Sequence, residues 1–277
     1  MHQSIRKLAV AAVVALAVCP VKAQTIDPPG SSVAGQSIAN WTLGWWTWAL
    51  SFDATPGNNP FTDATGALAT VNNNGPVFYV AGTQGGASQP RHFTVGANTP
   101  LLFAMVNQAW IQYPVPLLHE LAADFFTGSA NLIATIDTVS VPNLTSYAET
   151  SDIASLGLAV PGSLGELEGP TPGFVANPAD CPNFTPDLLC PAISMGYYLM
   201  VNLPPGEHTI TTGGTLTYNL PTDPTYFPNG GQVTIDTLTT DIIDIVVPEP
   251  TSALMLLPAI FGLSFFRIWV NGRKTLT

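Results

Sequence analysis

The chain has 277 residues, of which 46% are hydrophobic and 9% are charged, so it is long enough to bury a sizeable core. Arg91 is the only Lys or Arg between residues 24 and 247, a stretch that also holds 17 acidic residues and carries a net charge near -16. Such a body cannot neutralise phosphates, which excludes nucleic acid as a partner. It also disfavours acidic polymers and anionic lipid surfaces as direct ligands unless a divalent cation bridges them. A plainer interpretation is that the acidic residues keep an otherwise apolar surface soluble.

Residues 1–23 have the pattern of a secretory signal peptide. Two basic residues precede an apolar run of 11 residues at 8–18, and small residues then allow cleavage before Gln24. A lipoprotein site at Cys19 is the weaker alternative, because the preceding Val18 is bulky. We therefore expect the chain to be exported, with residues 24–246 as the mature domain.

Residues 24–246 are predicted to form one all-β domain, a β-sandwich or jelly-roll-like fold with one or two short helices. The 26 Pro and 24 Gly of the chain punctuate short apolar runs, which is typical of such folds. Strands are predicted at 77–81, 91–95, 101–106, 132–139, 197–203, 207–212, 216–220, 233–238 and 242–246. The sharpest pairing is predicted across Pro204-Pro205-Gly206, where an apolar strand turns into an alternating one.

Two segments are predicted to be helical, at 36–50 and 117–126. The first places an apolar stripe on one face, with Ser37 or Gly35 available at its start. The stripe consists of Ile38, Trp41, Trp45 and Trp48. Such a stripe more often packs in a core, although an aromatic cluster is also a candidate sugar-stacking platform.

Cys181 and Cys190 are predicted to form one local disulfide. They are the only cysteines left after removal of the signal peptide, and they bracket a short Pro-rich loop. The pair would then staple this loop rather than the whole fold.

No catalytic or metal-binding motif is recognisable in the body. His92, His119 and His208 are isolated, without a metal-ligand spacing. Two acidic pairs, Glu166 with Glu168 and Asp241 with Asp244, are more typical of solvated carboxylates than of a catalytic pair. We therefore predict no catalytic residue, no metal ligand and no cofactor.

Calcium is the one cofactor with some support from composition. Acidic exported β-proteins often hold it in loops rich in Asp and Asn, such as Asn58, Asn59 and Asp63, or residues 72–74. Neither loop matches a strict calcium motif, so this stays a secondary expectation.

Arg91 is the one basic side chain in a strongly acidic body. A partly buried structural ion pair is the expected role. The alternative is a clamp for a carboxylate or sulfate ligand.

The C-terminal segment, residues 247–277, combines a short motif, an apolar run and basic residues. Val247-Pro248-Glu249-Pro250 precedes an apolar stretch at 252–270, which is at the lower limit of length for a transmembrane helix. The basic residues of this segment are Arg267, Arg273 and Lys274. A buried C-terminal core helix is the alternative.

This arrangement resembles a PEP-CTERM sorting signal, the tag that exosortases recognise and remove in Gram-negative bacteria. The resemblance implies an exosortase-type processing enzyme as a partner, an inner-membrane-anchored precursor, and a final place at the cell surface or outside the cell. Proteins with this tag accompany exopolysaccharide production, so polysaccharide is a further expected partner.

The body is also similar to a group of uncharacterised secreted bacterial proteins, over residues 41–220. The similar segments are 45–51, 59–66, 75–82, 196–200 and 205–210. Members often carry a Cys at the position of Phe93 and a partner Cys near Leu68, both absent here. The likeness therefore implies secretion but no activity.

Three functions remain open from the sequence. We expect a structural or adhesive matrix protein that is not an enzyme. A glycan-binding module is the alternative, with Trp110, Tyr113 or Tyr226 as its exposed aromatic residues, and a hydrolase of matrix polymers is a further one, requiring a pocket where a His meets a carboxylate.

Overall fold

A computed structural model describes residues 24–83, 90–168 and 174–247. The domain is built mostly of strands, with few short helices. The helices are α1 (Ile38–Leu50), α2 (Val115–Thr127) and α3 (Leu164–Glu168), and a 3-10 turn covers Leu144–Tyr147. Among the described residues, no helix combines the length and apolar character needed to cross a membrane.

The first sheet has five strands in the order β1-β10-β6-β4, with β9 also pairing with β10. Its strands are β1 (Thr25–Ile26), β4 (Phe78–Val80), β6 (Leu101–Ile111), β9 (Ala148–Thr150) and β10 (Ala192–Asn202). β4 runs parallel to β6, while the other pairings are antiparallel.

The second sheet has the order β5-β12-β11-β7-β8. Its strands are β5 (Arg91–Gly96), β7 (Ser129–Ile136), β8 (Val139–Ser140), β11 (Gly206–Leu220) and β12 (Gly231–Val246). β5 runs parallel to β12. A separate two-stranded turn, β2 (Ser32–Val33) with β3 (Gln36–Ser37), leads into α1.

The two sheets pack face to face around the main core. Phe103 and Leu199 of the first sheet meet Leu216 and Ile243 of the second, and Phe125 of α2 fills the same core. The all-β, sandwich-like prediction is confirmed at this level.

Helix α1 covers the outer face of the first sheet. Ser37 caps the helix by accepting a hydrogen bond from the Asn40 amide, as expected for a Ser at this position. The indoles of Trp41, Trp45 and Trp48 are buried, and each donates to a backbone carbonyl. The interpretation of this stripe as core is confirmed, and the predicted helix at 36–50 begins two residues later than expected.

The strand pair predicted across Pro204-Pro205-Gly206 is wrong. β10 belongs to the first sheet and β11 to the second, so the connection crosses between sheets. The reason is visible in the burial of β10, which packs under α1 on one face and into the main core on the other. A strand buried on both faces has a continuous apolar sequence, and that sequence does not indicate its neighbour.

Two predicted breaks in strands are also wrong. Segments 207–212 and 216–220 belong to the single strand β11, and 233–238 and 242–246 belong to β12. Two consecutive glycines often mark a turn, but Gly213 and Gly214 lie within β11. They allow the backbones of β12 and β7 to approach β11 closely. A Cβ on Gly214 would lie 2.3 Å from the Asn131 carbonyl oxygen.

Candidate functional site: an aromatic cleft at an open sheet edge

Strands β6 and β12 form the same side of the sandwich, and each is covered over only part of its length. β4 pairs with β6 at Leu101–Phe103, and β5 pairs with β12 at Asp241–Val246. Along the rest, residues 104–111 and 231–240, each of the two strands has a partner on one side only within the described part of the chain. In the described ranges, the sandwich is therefore open along this edge.

A cleft of about 580 Å³ occupies the open edge, between α1, β6 and the first half of β12. This volume is within the range typical of ligand-binding pockets, roughly 300–1,000 Å³. The cleft is lined mainly by aromatic, aliphatic and uncharged polar side chains. They include Trp46, Asn107, Gln108, Trp110, Val233 and Asp236.

Aromatic rings line the cleft on both sides of the β6 edge. On the helix side, the ring centroid of Trp45 lies 5.0 Å from that of Trp46 and 5.6 Å from that of Phe61. On the sandwich side, the rings of Trp110 and Tyr113 are 5.6 Å apart. Edge-to-face contacts of this kind hold each ring in one orientation.

The second aromatic group extends beyond the cleft. Tyr226 lies 5.1 Å from Tyr113, and Phe227 lies 5.8 Å from Trp110. The three aromatic residues named from the sequence as glycan-binding candidates, Trp110, Tyr113 and Tyr226, are thus brought together, and each is half-buried.

The indole nitrogens of Trp46 and Trp110 are buried although both residues are partly exposed. Neither nitrogen has a hydrogen bond of normal geometry. The Trp46 nitrogen points towards the Tyr198 hydroxyl, and the Trp110 nitrogen towards that of Tyr218. The exposed part of each side chain is therefore carbon, which suits contact with the apolar face of a ligand.

Two backbone acceptors of the β6 edge are capped by side chains. The Thr237 hydroxyl donates to the Met105 carbonyl across the gap between the sheets. The Gln108 amide donates to the Ala109 carbonyl at 3.1 Å. These caps satisfy an edge that would otherwise be ready to pair with another strand.

The helix side of the cleft is fixed by a buried polar group. The Asn107 amide donates to the Tyr198 hydroxyl, which also bonds to the Ser194 hydroxyl. Burial raises the pKa of Tyr198 to about 12, so this hydroxyl keeps its proton at neutral pH.

The cleft carries almost no charge. Asp236 is its one carboxylate among the described lining residues, which include no Lys, Arg or His. The Thr215 hydroxyl donates to Asp236 at 3.0 Å. The lining therefore suits an uncharged ligand and offers nothing to neutralise an anion.

Arg91 lies at the other end of the same side, in a buried ion pair. Its guanidinium donates to Asp241 Oδ1 through Nε at 2.8 Å, and Nη2 lies 2.7 Å from the same oxygen. It also donates to the carbonyls of Pro60 and Ala81. The expected structural ion pair is found, and with Arg91 only 3% exposed, no guanidinium surface is offered to a ligand.

The buried position disfavours the charged form of Asp241. Burial raises the pKa of Asp241 to about 6, against the lowering effect of the adjacent Arg91 charge. The second carboxylate oxygen, Oδ2, is buried without a hydrogen bond. Asp244 is exposed on the opposite face of β12, so these two carboxylates do not converge.

The other polar candidates serve local structure. His208 bonds through Nδ1 to Asp137 at 2.7 Å and through Nε2 to the Pro204 carbonyl, while His92 and His119 are exposed. Glu166 accepts from the Gly162 amide, and the side chain of Glu168 is outside the described residues. No cluster of three His, Cys, Asp or Glu that could hold a metal occurs among the residues described.

The loops considered for calcium are organised by their own side chains. The Asn59 amide is buried and bonds to the backbone of residues 53–62, and Asn73 bonds to Ala69 and Tyr79. Asp63 accepts from Thr65 and Leu68. Its pKa is lowered by these bonds and the Arg91 charge, which outweigh the raising effect of desolvation, the largest single contribution.

The predicted disulfide between Cys181 and Cys190 is formed. It sits in a small separate cluster with Phe174, Phe184 and Leu188. The Gln112 amide bonds to the Leu188 carbonyl and so joins this loop to the end of β6. The disulfide is a local staple, as expected.

The predicted sorting motif follows directly on β12. Val247 is 61% exposed. Pro248, Glu249 and Pro250, the apolar segment 252–270 and the basic residues Arg267, Arg273 and Lys274 lie outside the described residues, as does the predicted signal peptide, 1–23.

Sequence reasoning missed the cleft itself. Trp46 lies in the Trp-rich helix α1, and the helical spacing of its neighbours predicted only which face of the helix is buried. It lies off that face, and this is the one signal by which the sequence could have indicated a second aromatic surface. Comparison with family models, curated proteins and solved structures gives no match.

Proposed function

We propose that this chain is an exported cell-surface or extracellular-matrix protein, sorted through a C-terminal PEP-CTERM tag, with a structural or adhesive role in exopolysaccharide or biofilm. In this proposal a jelly-roll-like domain follows a cleaved signal peptide. A C-terminal transmembrane helix holds the precursor in the inner membrane until an exosortase-type enzyme removes it.

The observation that carries the proposal is the place of the motif. β12 ends at Val246, and the first motif residue, Val247, is exposed immediately after it. Pro248 and Pro250 cannot donate to a strand ladder, so the pairing of β12 is not expected to continue through them. A processing enzyme would therefore find the motif accessible beside a folded domain.

Two further features support an exported protein. The Cys181–Cys190 disulfide is typical of oxidising compartments outside the cytoplasm. Arg91, the one Lys or Arg between residues 24 and 247, is buried in its ion pair. Among the described residues the surface thus presents no Lys or Arg that would bind anionic lipid or nucleic acid.

Expression in two otherwise identical hosts, with and without an exosortase, tests this function. We expect the intact mass to show loss of the segment after the motif, and release from the inner membrane, only where the exosortase is present. Glu249→Ala is the matched control and should prevent both changes. A membrane-bound, uncleaved product in both hosts would overturn the proposal and leave a single-pass anchored protein.

A further inference from the structure

We infer that the cleft binds an uncharged polysaccharide segment, held by stacking on the aromatic rings at both sides of the β6 edge. The inference rests on the proposed function, since it names the ligand through which an adhesive matrix protein would act.

The aromatic side chains supply the main contact. Trp46 on the helix side and Trp110 on the sandwich side both expose ring carbon while their nitrogens are buried. Sugar rings have apolar faces built of C–H groups, and a flat aromatic ring is the protein surface that matches them. Both rings line the same cleft, so one sugar chain lying along it is expected to contact both.

Polar side chains supply the hydrogen bonds. Asn107, Gln108 and Asp236 line the same cleft and present amide and carboxylate atoms beside the aromatic rings. A few polar groups among apolar walls are the usual composition of a small-ligand site, where they orient the ligand.

Charge selects against acidic polymers. The described lining contains one carboxylate and no cation. The body around it carries a net charge near -16. A polyuronate would meet repulsion from both, so the expected ligand is neutral.

An extended peptide is the competing occupant of an open strand edge. On the β6 edge, two of the backbone acceptors that strand addition would use are already taken, because Thr237 donates to the Met105 carbonyl and Gln108 to the Ala109 carbonyl. A peptide would have to displace both caps. A glycan that stacks on side chains does not.

The cleft also lies away from the end of the domain that leads to the predicted membrane segment. Asp236 is ten residues before Val246 on the same strand. At about 3.3 Å per residue this separates the cleft from the exit of β12 by roughly 33 Å. A polymer on the outer side of the membrane can therefore reach the cleft even before the tail is removed.

The test is a titration of the full chain, purified in detergent, followed by tryptophan fluorescence and calorimetry. The probes are cellohexaose, β-1,4-mannohexaose and isomaltohexaose as neutral chains, hexagalacturonate as the acidic chain, and a hexapeptide of alternating Thr and Val for strand addition. We expect at least one neutral hexasaccharide to bind and neither the acidic chain nor the peptide to do so.

Variants localise the site. Trp110→Ala should weaken binding by about tenfold or more, as expected when an aromatic anchor is removed. Val233 lines the cleft and also packs at the edge of the main core, so Val233→Trp adds bulk at the rim and should abolish binding in a variant that still folds. Trp41→Phe, in the buried stripe outside the cleft, is the matched control and should bind as the parent chain does.

Binding of no neutral hexasaccharide, preference for the acidic chain or the peptide, or unchanged affinity in folded Val233→Trp would each overturn the inference. Failure here leaves exosortase-dependent cleavage untouched. Failure of cleavage, in turn, leaves the titration of the purified chain valid, so the two proposals fail separately.

Discussion

Strands β6 and β12 form one side of the sandwich, and the two ends of that side differ in whether the strands are covered. At one end β4 and β5 cover the strands, and Arg91 joins Asp241 to the carbonyls of Pro60 and Ala81. We call this the locked end. At the other, the open end, the described strands have no further neighbour, and a 580 Å³ aromatic cleft takes their place.

The difference shows where the one basic residue of the body is used. A cation at the open end would attract anions to the cleft, whereas at the locked end it closes the sandwich. The described lining of the cleft therefore contains no cation, and Asp236 is its one carboxylate. We expect changes at the locked end to alter stability and changes at the open end to alter binding.

The largest effect is expected from Arg91→Ala. The change leaves the Asp241 carboxylate buried without its cation, and breaking a buried pair in this way costs about 3–5 kcal/mol. Urea unfolding measures the loss of free energy. The neighbouring exposed residue supplies the control, since His92→Ala should change stability by no more than about 0.5 kcal/mol. Equal stability of both variants would show that the locked end is not locked by this pair.

The locked end should also make stability depend on pH. The pKa of Asp241 is about 6 in the folded chain, above its ordinary value of 3.8, because burial disfavours the charged form. The stabilisation that Asp241 contributes to the folded chain is therefore complete below about pH 4 and is lost as the pH rises through 6. At about 1.4 kcal/mol for each pH unit between the two values, the change is about 3 kcal/mol.

Other carboxylates titrate in the same range, so Asp241→Asn is the reference for this prediction. We expect the stability of the parent chain relative to Asp241→Asn to fall between pH 4 and pH 7. A difference that stays constant, or that grows with pH, would show that the Asp241 pKa is not raised.

Reduction of the Cys181–Cys190 disulfide should have a somewhat smaller effect. The loop it closes is short, and the chain-entropy estimate is roughly 2.5–3 kcal/mol. Thermal unfolding of the Cys181→Ser/Cys190→Ser double variant measures the loss. Because none of residues 181–190 lines the cleft, affinity for the neutral oligosaccharide should not change. A loss of binding would show that the loop positions the end of β6 through Gln112.

The smallest effect is expected at the start of α1. Ser37→Ala removes the cap on the Asn40 amide and should cost about 1 kcal/mol in urea unfolding. Ser37→Asn should restore most of that stability, since Asn caps equally well. No loss in Ser37→Ala would indicate that packing of the Trp stripe alone holds the helix.

The sequence predicts those parts of the molecule that depend on local pattern. The helix at 36–50 follows from the Trp stripe and its Ser cap, and the disulfide follows from two cysteines around one loop. Arg91 could be assigned to an ion pair because it has no competing cation. Its partner, 150 positions away, could not be identified, since many carboxylates were available.

Sheet membership and the cleft were not predictable in the same way. The apolar run of β10 does not reveal that α1 covers one of its faces, and Gly213-Gly214 reads as a turn unless the neighbouring strands are known. The cleft exists because β4 pairs only with the first residues of β6, and β5 only with the last residues of β12. That is a property of strand pairing, which no single segment encodes.

Hydrogen–deuterium exchange of the full chain, with and without the neutral hexasaccharide that binds best, compares the two ends in one measurement. The account predicts new protection at residues 104–110 and 233–237, and none at 91–96 or 241–246. Protection at the locked end, or none at the open end, would contradict the assignment of binding to the cleft.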